Sequence, residues 1–209
     1  PSIRRAVMVD IDGEVVDLCK RHLPEMHQGA FEDTRTELRH EDARAYLEKT
    51  SERFDFITID LVEPLEEGPA CLLFTREFYS LVRDRLTPGG SMTLQAGMTK
   101  LGELDFFTSI HGRLREVFPV VAGYQTFMSC FGTPWGFMLA GKRVDPAMLE
   151  PAAVDRLVAE RIRGGLDYWD GITHQHAFAL PKHLRKAIDA ETQLAQIAGV
   201  EPAVRRQRA

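Results

Sequence analysis

No apolar run in this sequence reaches the length of a membrane-spanning helix, and no signal peptide opens it. Cysteine is scarce. Cys19, Cys71 and Cys130 are odd in number and far apart, which excludes a CxxC metal site and a disulfide framework and points to a reducing cytosol. Positive charge is not in excess: 26 basic residues stand against 31 acidic ones, a net charge of −5. With no basic stripe, nothing supports nucleic-acid binding, and the acidic balance is compatible with a cationic substrate. Internal repeats and low-complexity linkers are absent. Methionine is absent from the start, where Pro1-Ser2-Ile3 reads as cut from something longer. The remaining composition, 44% hydrophobic and 27% charged over 209 residues, excludes disorder and fits one soluble domain with a sizeable core.

The most informative stretch runs from Phe54 to Pro64. Phe54-Asp55-Phe56-Ile57-Thr58-Ile59 is nearly continuous in apolar side chains, which predicts a strand buried on both faces, as in a parallel sheet. Pro64 cannot continue a ladder, so Asp60 to Glu63 should occupy the loop past the strand's carboxyl end. Around it the chain alternates. Strands are expected at Ala6 to Val9, Thr36 to His40, Ser91 to Gln95, Tyr124 to Met128 and Gly136 to Ala140. Helices are expected at Gly13 to His22, Ala43 to Thr50, a segment with Phe74, Phe78, Leu81, Val82 and Leu86 on one face, and Leu104 to Phe118. Thr87-Pro88-Gly89-Gly90 reads as a turn. This order predicts an α/β fold: a doubly wound, mostly parallel sheet with helices on both faces and an antiparallel hairpin at one edge. After Arg143 the character changes to an amphipathic helix from Met148 to Ile162, an aromatic loop at Tyr168-Trp169, a largely helical stretch from Leu184 to Ile197 and a basic tail.

Carboxylates fall at the ends of successive strands. Asp10 and Asp42 follow the first two, and Asp60 follows the Phe54 strand. A carboxylate at such a position accepts both hydroxyls of a ribose, and one at the next strand accepts from an adenine amino group, so the spacing suits an adenosyl group. The competing reading makes Asp10 and Asp42 helix caps. Asp60 and Glu63 together suit a cationic amine: one takes the proton of an attacking nitrogen while the other holds an ammonium. The competing reading is a solvated acidic loop, since Glu66 and Glu67 follow.

Taken together, these runs resemble a known family. Val9-Asp10-Ile11-Asp12, Asp33-Thr34-Arg35, Glu41-Asp42-Ala43, Asp60-Leu61-Val62-Glu63-Pro64, Gly68-Pro69-Ala70, Glu77-Phe78-Tyr79, Leu86-Thr87-Pro88-Gly89-Gly90 and Gln95 occur in the order of the polyamine aminopropyltransferases, the spermidine synthase family. Trp135-Gly136-Phe137-Met138 and Phe178-Ala179-Leu180-Pro181 extend the likeness over nearly the whole chain. Asp60-Leu61-Val62, Gln95-Ala96-Gly97 and Ser129-Cys130-Phe131 are closer to its thermospermine synthase branch. The resemblance implies a methyltransferase-like fold and transfer of an aminopropyl group from decarboxylated S-adenosylmethionine, a co-substrate, to putrescine or spermidine, with no metal or other cofactor. By position it implies that Asp60 is catalytic. Asp10, Asp42, Ala43, Leu61 and Pro69 would hold the donor, and Asp60, Glu63, Gln95 and Trp135 the acceptor. It further implies a homo-oligomer, a dimer, and no nucleic-acid partner.

Three features depart from the family pattern. The glycine-rich donor loop and the N-terminal β domain are not in the sequence, so residues 1–209 read as a single catalytic domain truncated at its N-terminus. Glu63 stands where the family has Asp. A Tyr ahead of the last strand is replaced near Cys130 or Phe131. Two rivals remain: an S-adenosylmethionine-dependent methyltransferase on the same fold, and a non-catalytic polyamine or nucleoside-binding module. His174 and His176 at i, i+2 are candidate metal ligands, although the family has the former without a metal. Trp135 and Phe131 are read equally as channel walls or core, and Tyr168 and Trp169 as packing for the C-terminal helices. Cys71 is read as a structural thiol.

Overall fold

A computed structural model describes residues 3–62 and 69–195. The chain forms two compact units, Pro1–Ser51 with Ala159–Gly165, and Glu52–Val158 with Leu166–Ala209.

In the first unit, β1 (Ala6–Asp10) and β2 (Thr36–His40) pair in parallel, from Ala6↔Thr36 to Asp10↔His40. Helix α1 (Gly13–His22) starts at once because Asp12 caps it, its carboxylate accepting from the Val15 amide at 3.0 Å. A short helix α2 (Pro24–His27) follows with proline in its first turn. Asp42 caps α3 (Ala43–Lys49) in the same manner as Asp12 caps α1. Arg5 and Arg39 both pair with Glu37 across the exposed side of this ladder, and together they hold the Glu37 carboxyl below its ordinary pKa. Exposed pairs of this kind add little stability.

The second unit is built on four strands in the order β3-β4-β6-β5: β3 (Phe54–Ile59), β4 (Leu86–Met98), β5 (Val120–Met128) and β6 (Thr133–Gly141). β3 and β4 run parallel, whereas β4–β6 and β6–β5 are antiparallel. The expected hairpin at one edge is therefore present. Four helices belong wholly to this unit, α4 (Arg76–Arg85), α5 (Asp105–Val117), α7 (Gly171–Phe178) and α8 (Lys182–Ala195), and α6 (Pro151–Arg161) begins in it.

Strand parity assigns the faces. Met92, Leu94 and Ala96 of β4 are fully buried. Met138 and Ala140 lie opposite Leu94 and Met92 in β6 and share that face. Phe107 of α5 covers it, fitting over Gly123 and Gly136. Tyr124 points the other way, where it stacks on Phe137 at 5.2 Å and meets Phe178 of α7 at 5.0 Å. Helix α5 thus covers one face of this sheet, and α7 packs on the other at β5.

Two expectations change. β3 is not buried on both faces: Phe56 is 50% exposed, so its face of the strand is only partly covered. Thr87–Gly90 falls inside β4 and not between elements. The ladder passes from Phe54↔Leu86 to Phe56↔Ser91, so these residues are accommodated as a local excursion of the strand.

Gly136 has to be glycine for lack of space. A Cβ there would lie 2.4 Å from Phe107 Cδ2 and 2.7 Å from Thr99 Cγ2, and Phe107 is fully buried. Gly136→Ala is expected to destabilise the protein by about 1–3 kcal/mol in urea unfolding. His111 of α5 is 9% exposed and its Nδ1 is buried without a hydrogen-bond partner. Burial, reinforced by Arg115 on the same helix and opposed by Asp189 of α8, pushes its pKa from 6.5 down to about 4. The unfolded chain then binds a proton that the folded chain refuses between about pH 6.5 and 4. Stability should fall by up to about 1.4 kcal/mol per pH unit over that window, and His111→Gln should flatten the dependence.

Candidate functional site

Asp60 is the first residue past β3 and is exposed. Ile59 pairs with Leu94, so the next residue of β4, Gln95, is level with Asp60 at the carboxyl end of the parallel pair. Ligands of open α/β sheets bind at this end. The side chain of Gln95 ties three segments together. Its Nε2 donates to the Leu61 carbonyl at 2.7 Å, while its Oε1 accepts from the Gly97 amide and from Trp135 Nε1, each at 3.0 Å. Trp135 in turn lies 4.4 Å, ring to ring, from the exposed Phe131.

This arrangement depends on a bulge. The β4–β6 ladder slips between Gln95↔Phe137 and Met98↔Trp135, and Gly97 takes a φ of +73° there. A positive φ is costly for any side chain larger than hydrogen. The bulge turns the Gly97 amide back onto Gln95 and places the indole within reach of the same oxygen. Beside it, Thr93 bonds to both the Tyr124 hydroxyl and the Met138 carbonyl, and burial raises the Tyr124 pKa.

In the first unit, Asp10 ends β1 level with His40 of β2. Asp10 Oδ1 accepts from the Asp12 amide at 2.8 Å and holds the turn into α1. Asp42 Oδ1 accepts from the Ala45 amide at 2.7 Å, so the capping reading of Asp42 is realised. Capping leaves the second oxygen of a carboxylate available to a ligand. The His40 ring lies against the Gly13 backbone, where a Cβ would meet Nδ1 at 3.1 Å.

Of the residues singled out in the sequence, Leu61, Gln95 and Trp135 form one hydrogen-bonded set next to Asp60. Asp10, Asp42 and Ala43 belong to the other compact unit. Pro69 opens a short 3-10 turn, Pro69–Phe74. Glu63 lies outside the described residues.

His174 is buried, bonds to the Pro146 carbonyl at 2.8 Å and packs on Trp169 and Phe178. His176 is exposed. Among the described residues no group of three His, Cys, Asp or Glu is placed to hold a metal ion. No helix among them is long and apolar enough to cross a membrane. Tyr168 is 64% exposed and touches β5 through its hydroxyl, which bonds with Thr126 Oγ1. Trp169 meets His174 of α7 edge-on at 5.7 Å.

Residues 1–148 match the spermine/spermidine synthase domain. A polyamine aminopropyltransferase from a Synechococcus strain is 44% identical over 194 residues, which is 91% of this chain and 62% of the relative. Polyamine aminopropyltransferase 2 of Hyperthermus butylicus is 42% identical over 186 residues, 89% of this chain and 61% of the relative. Spermidine synthase from Thermotoga maritima superposes with a TM-score of 0.76 at 26% identity, covering 90% of this chain and 61% of that one. A spermidine synthase solved with the transition state analogue AdoDATO gives a TM-score of 0.74 at 25% identity, covering 90% and 60%. The chain therefore spans about three fifths of the length of the proteins it matches. With its fold, the strand-end position of Asp60 and a domain match over most of its length, the chain belongs to the spermine/spermidine synthase family.

Proposed function

We propose that this chain carries the catalytic part of a polyamine aminopropyltransferase, which moves an aminopropyl group from decarboxylated S-adenosylmethionine to an amine, putrescine or spermidine. The observation that carries the reading is the exposed carboxylate of Asp60 at the carboxyl end of β3, level with Gln95 and backed by the Trp135–Phe131 pair. The likeness to relatives named polyamine aminopropyltransferase supports it, as does the AdoDATO complex of a structural neighbour.

The chemistry needs few protein groups. The lone pair of the acceptor nitrogen attacks the carbon next to the sulfonium sulfur. The carbon–sulfur bond breaks, its electrons neutralise the sulfur, and methylthioadenosine leaves. The amine has to be neutral to attack, although free alkyl amines are mostly protonated at pH 7. Asp60 accepts the proton and aims the lone pair. Glu63 holds a distal ammonium, and the aromatic wall favours the cationic chain. Asp10 takes the ribose hydroxyls. By their match to the family's motifs Asp42 and Ala43 are assigned to the adenine, and Leu61 and Pro69 to the donor. The donor's own positive sulfur supplies the activation, so the mechanism calls on neither metal nor cofactor, and much of the rate gain comes from holding two reactants in line. We place the enzyme in the cytoplasm as a homodimer that acts on small molecules and not on nucleic acid. Its three free cysteines fit a reducing compartment.

Asp60→Asn should lower kcat by about 10²–10⁴-fold while methylthioadenosine binding, measured by calorimetry, is retained. Methyl transfer from ordinary S-adenosylmethionine in the same assay would overturn the reading in favour of a methyltransferase. For the donor side, Asp42→Ser keeps the helix cap and removes the carboxylate. Stability should hold while methylthioadenosine affinity drops, whereas Asp42→Ala should also lose about 1 kcal/mol of stability. Asp10→Ala should abolish methylthioadenosine binding.

A further inference from the structure

Gln95 occupies the position where an acceptor-binding residue is expected, but its amide is committed elsewhere. Its oxygen is the only atom of the side chain able to accept a hydrogen bond, and it has two lone pairs. Both are taken, by the Gly97 amide and by Trp135 Nε1. An ammonium group offers only donors, so Gln95 has no acceptor site to give it. Meanwhile Nε2 donates to Leu61 O at 2.7 Å, in the peptide that immediately follows Asp60.

On these grounds we infer that Gln95 is a positioning residue. It locks the chain after Asp60 to the indole of Trp135, so that the carboxylate and the aromatic wall are held in one fixed relation. This rests on the aminopropyl-transfer reading given above. The contacts themselves explain the local sequence. Gly97 provides the positive φ that returns its amide to Oε1, and the register slip brings Trp135 onto Gln95. The amide orientation follows from its partners, since only the oxygen can receive two N–H groups and only the nitrogen can serve a carbonyl. No other uncharged side chain of this length both donates and accepts in this way. A base held loosely by even a fraction of an ångström loses much of its effect on an in-line displacement.

Two substitutions separate this role from direct acceptor contact. Gln95→Leu removes every bond. Gln95→Glu has the same shape and still accepts from Gly97 and Trp135, but when ionised it repels the Leu61 carbonyl. The chain has two tryptophans, Trp135 and Trp169, so its indole N–H resonances are two and are assigned with Trp169→Phe. In Gln95→Leu the Trp135 resonance should move upfield and exchange faster, with Trp169 unmoved; in Gln95→Glu it should stay. The Leu61 carbonyl carbon shift should change in both variants. In the assay of the whole protein, kcat should fall by about tenfold or more in both, with acceptor KM and methylthioadenosine affinity within about twofold of the original.

Direct contact with a cationic amine makes the opposite forecast. A new carboxylate at position 95 would tighten the acceptor, lowering its KM with kcat retained, and that result would overturn the inference. An unmoved Trp135 resonance in Gln95→Leu, or a raised acceptor KM at constant kcat, would overturn it as well. Failure of the broader reading looks different: the unsubstituted protein would then transfer no aminopropyl group, while the two resonance shifts would still decide whether the clamp exists.

Discussion

β4 has to satisfy two ladders of opposite direction at once. It runs parallel to β3 on one side and antiparallel to β6 on the other, and the two partners impose different hydrogen-bond spacings. Over Ser91 to Leu94 both ladders are in register, and the buried triad Met92, Leu94 and Ala96 anchors the strand under α5. Past Gln95 only the β6 side continues, and it does so through a slip of register. The end of the double ladder is where the Gly97 bulge, the Gln95 amide and the Trp135 indole meet. The site is therefore located by a limit of sheet geometry: where one ladder stops, side chains and backbone donors are released from pairing and become available for other bonds.

The same constraint explains how polar groups are distributed. Gln95 is half-buried, and its oxygen receives two donors that would otherwise lack partners in a crowded region. Asp60, one step past the shorter ladder, stays exposed. On the far side of the sheet the opposite choice is made. His111 is buried among the helices and held neutral, where it contributes shape and not charge.

Much of this was legible in one dimension. The apolar run of β1 ends at Asp10 and α1 begins at Gly13, as the residue pattern indicates, whereas β2, with Leu38 as its only aliphatic residue, carries a weak strand signal. Asp42 caps its helix as the capping reading had it, but α1 is capped by Asp12 and not by Asp10, whose carboxylate accepts from the Asp12 amide instead. The hairpin of β5 and β6 was visible as two close strands with a loop between. Less visible was β3, whose apolar run predicts cover on both faces while Phe56 is half exposed. A run of apolar residues reports what a strand tolerates, and its neighbours decide what it receives. The Thr87–Gly90 segment misled in the opposite direction. Proline and glycines there signal a break, and the four residues are indeed left out of the ladder, but pairing with β3 resumes at Ser91 and the strand continues.

The sequence by itself determined the chemical inventory: carboxylates at strand ends, no metal-binding cysteine spacing, and a family pattern running through most of the chain. These are local facts, set by residue type and by spacing along a strand or helix. The tertiary structure alone decided which of those residues act together. Leu61, Gln95 and Trp135 are separated by 34 and 40 residues, and nothing in their spacing announces one amide joining all three. Their meeting depends on strand order, on the slip between two ladders and on a glycine at positive φ. Those are properties of paired strands, and a single strand read alone does not have them.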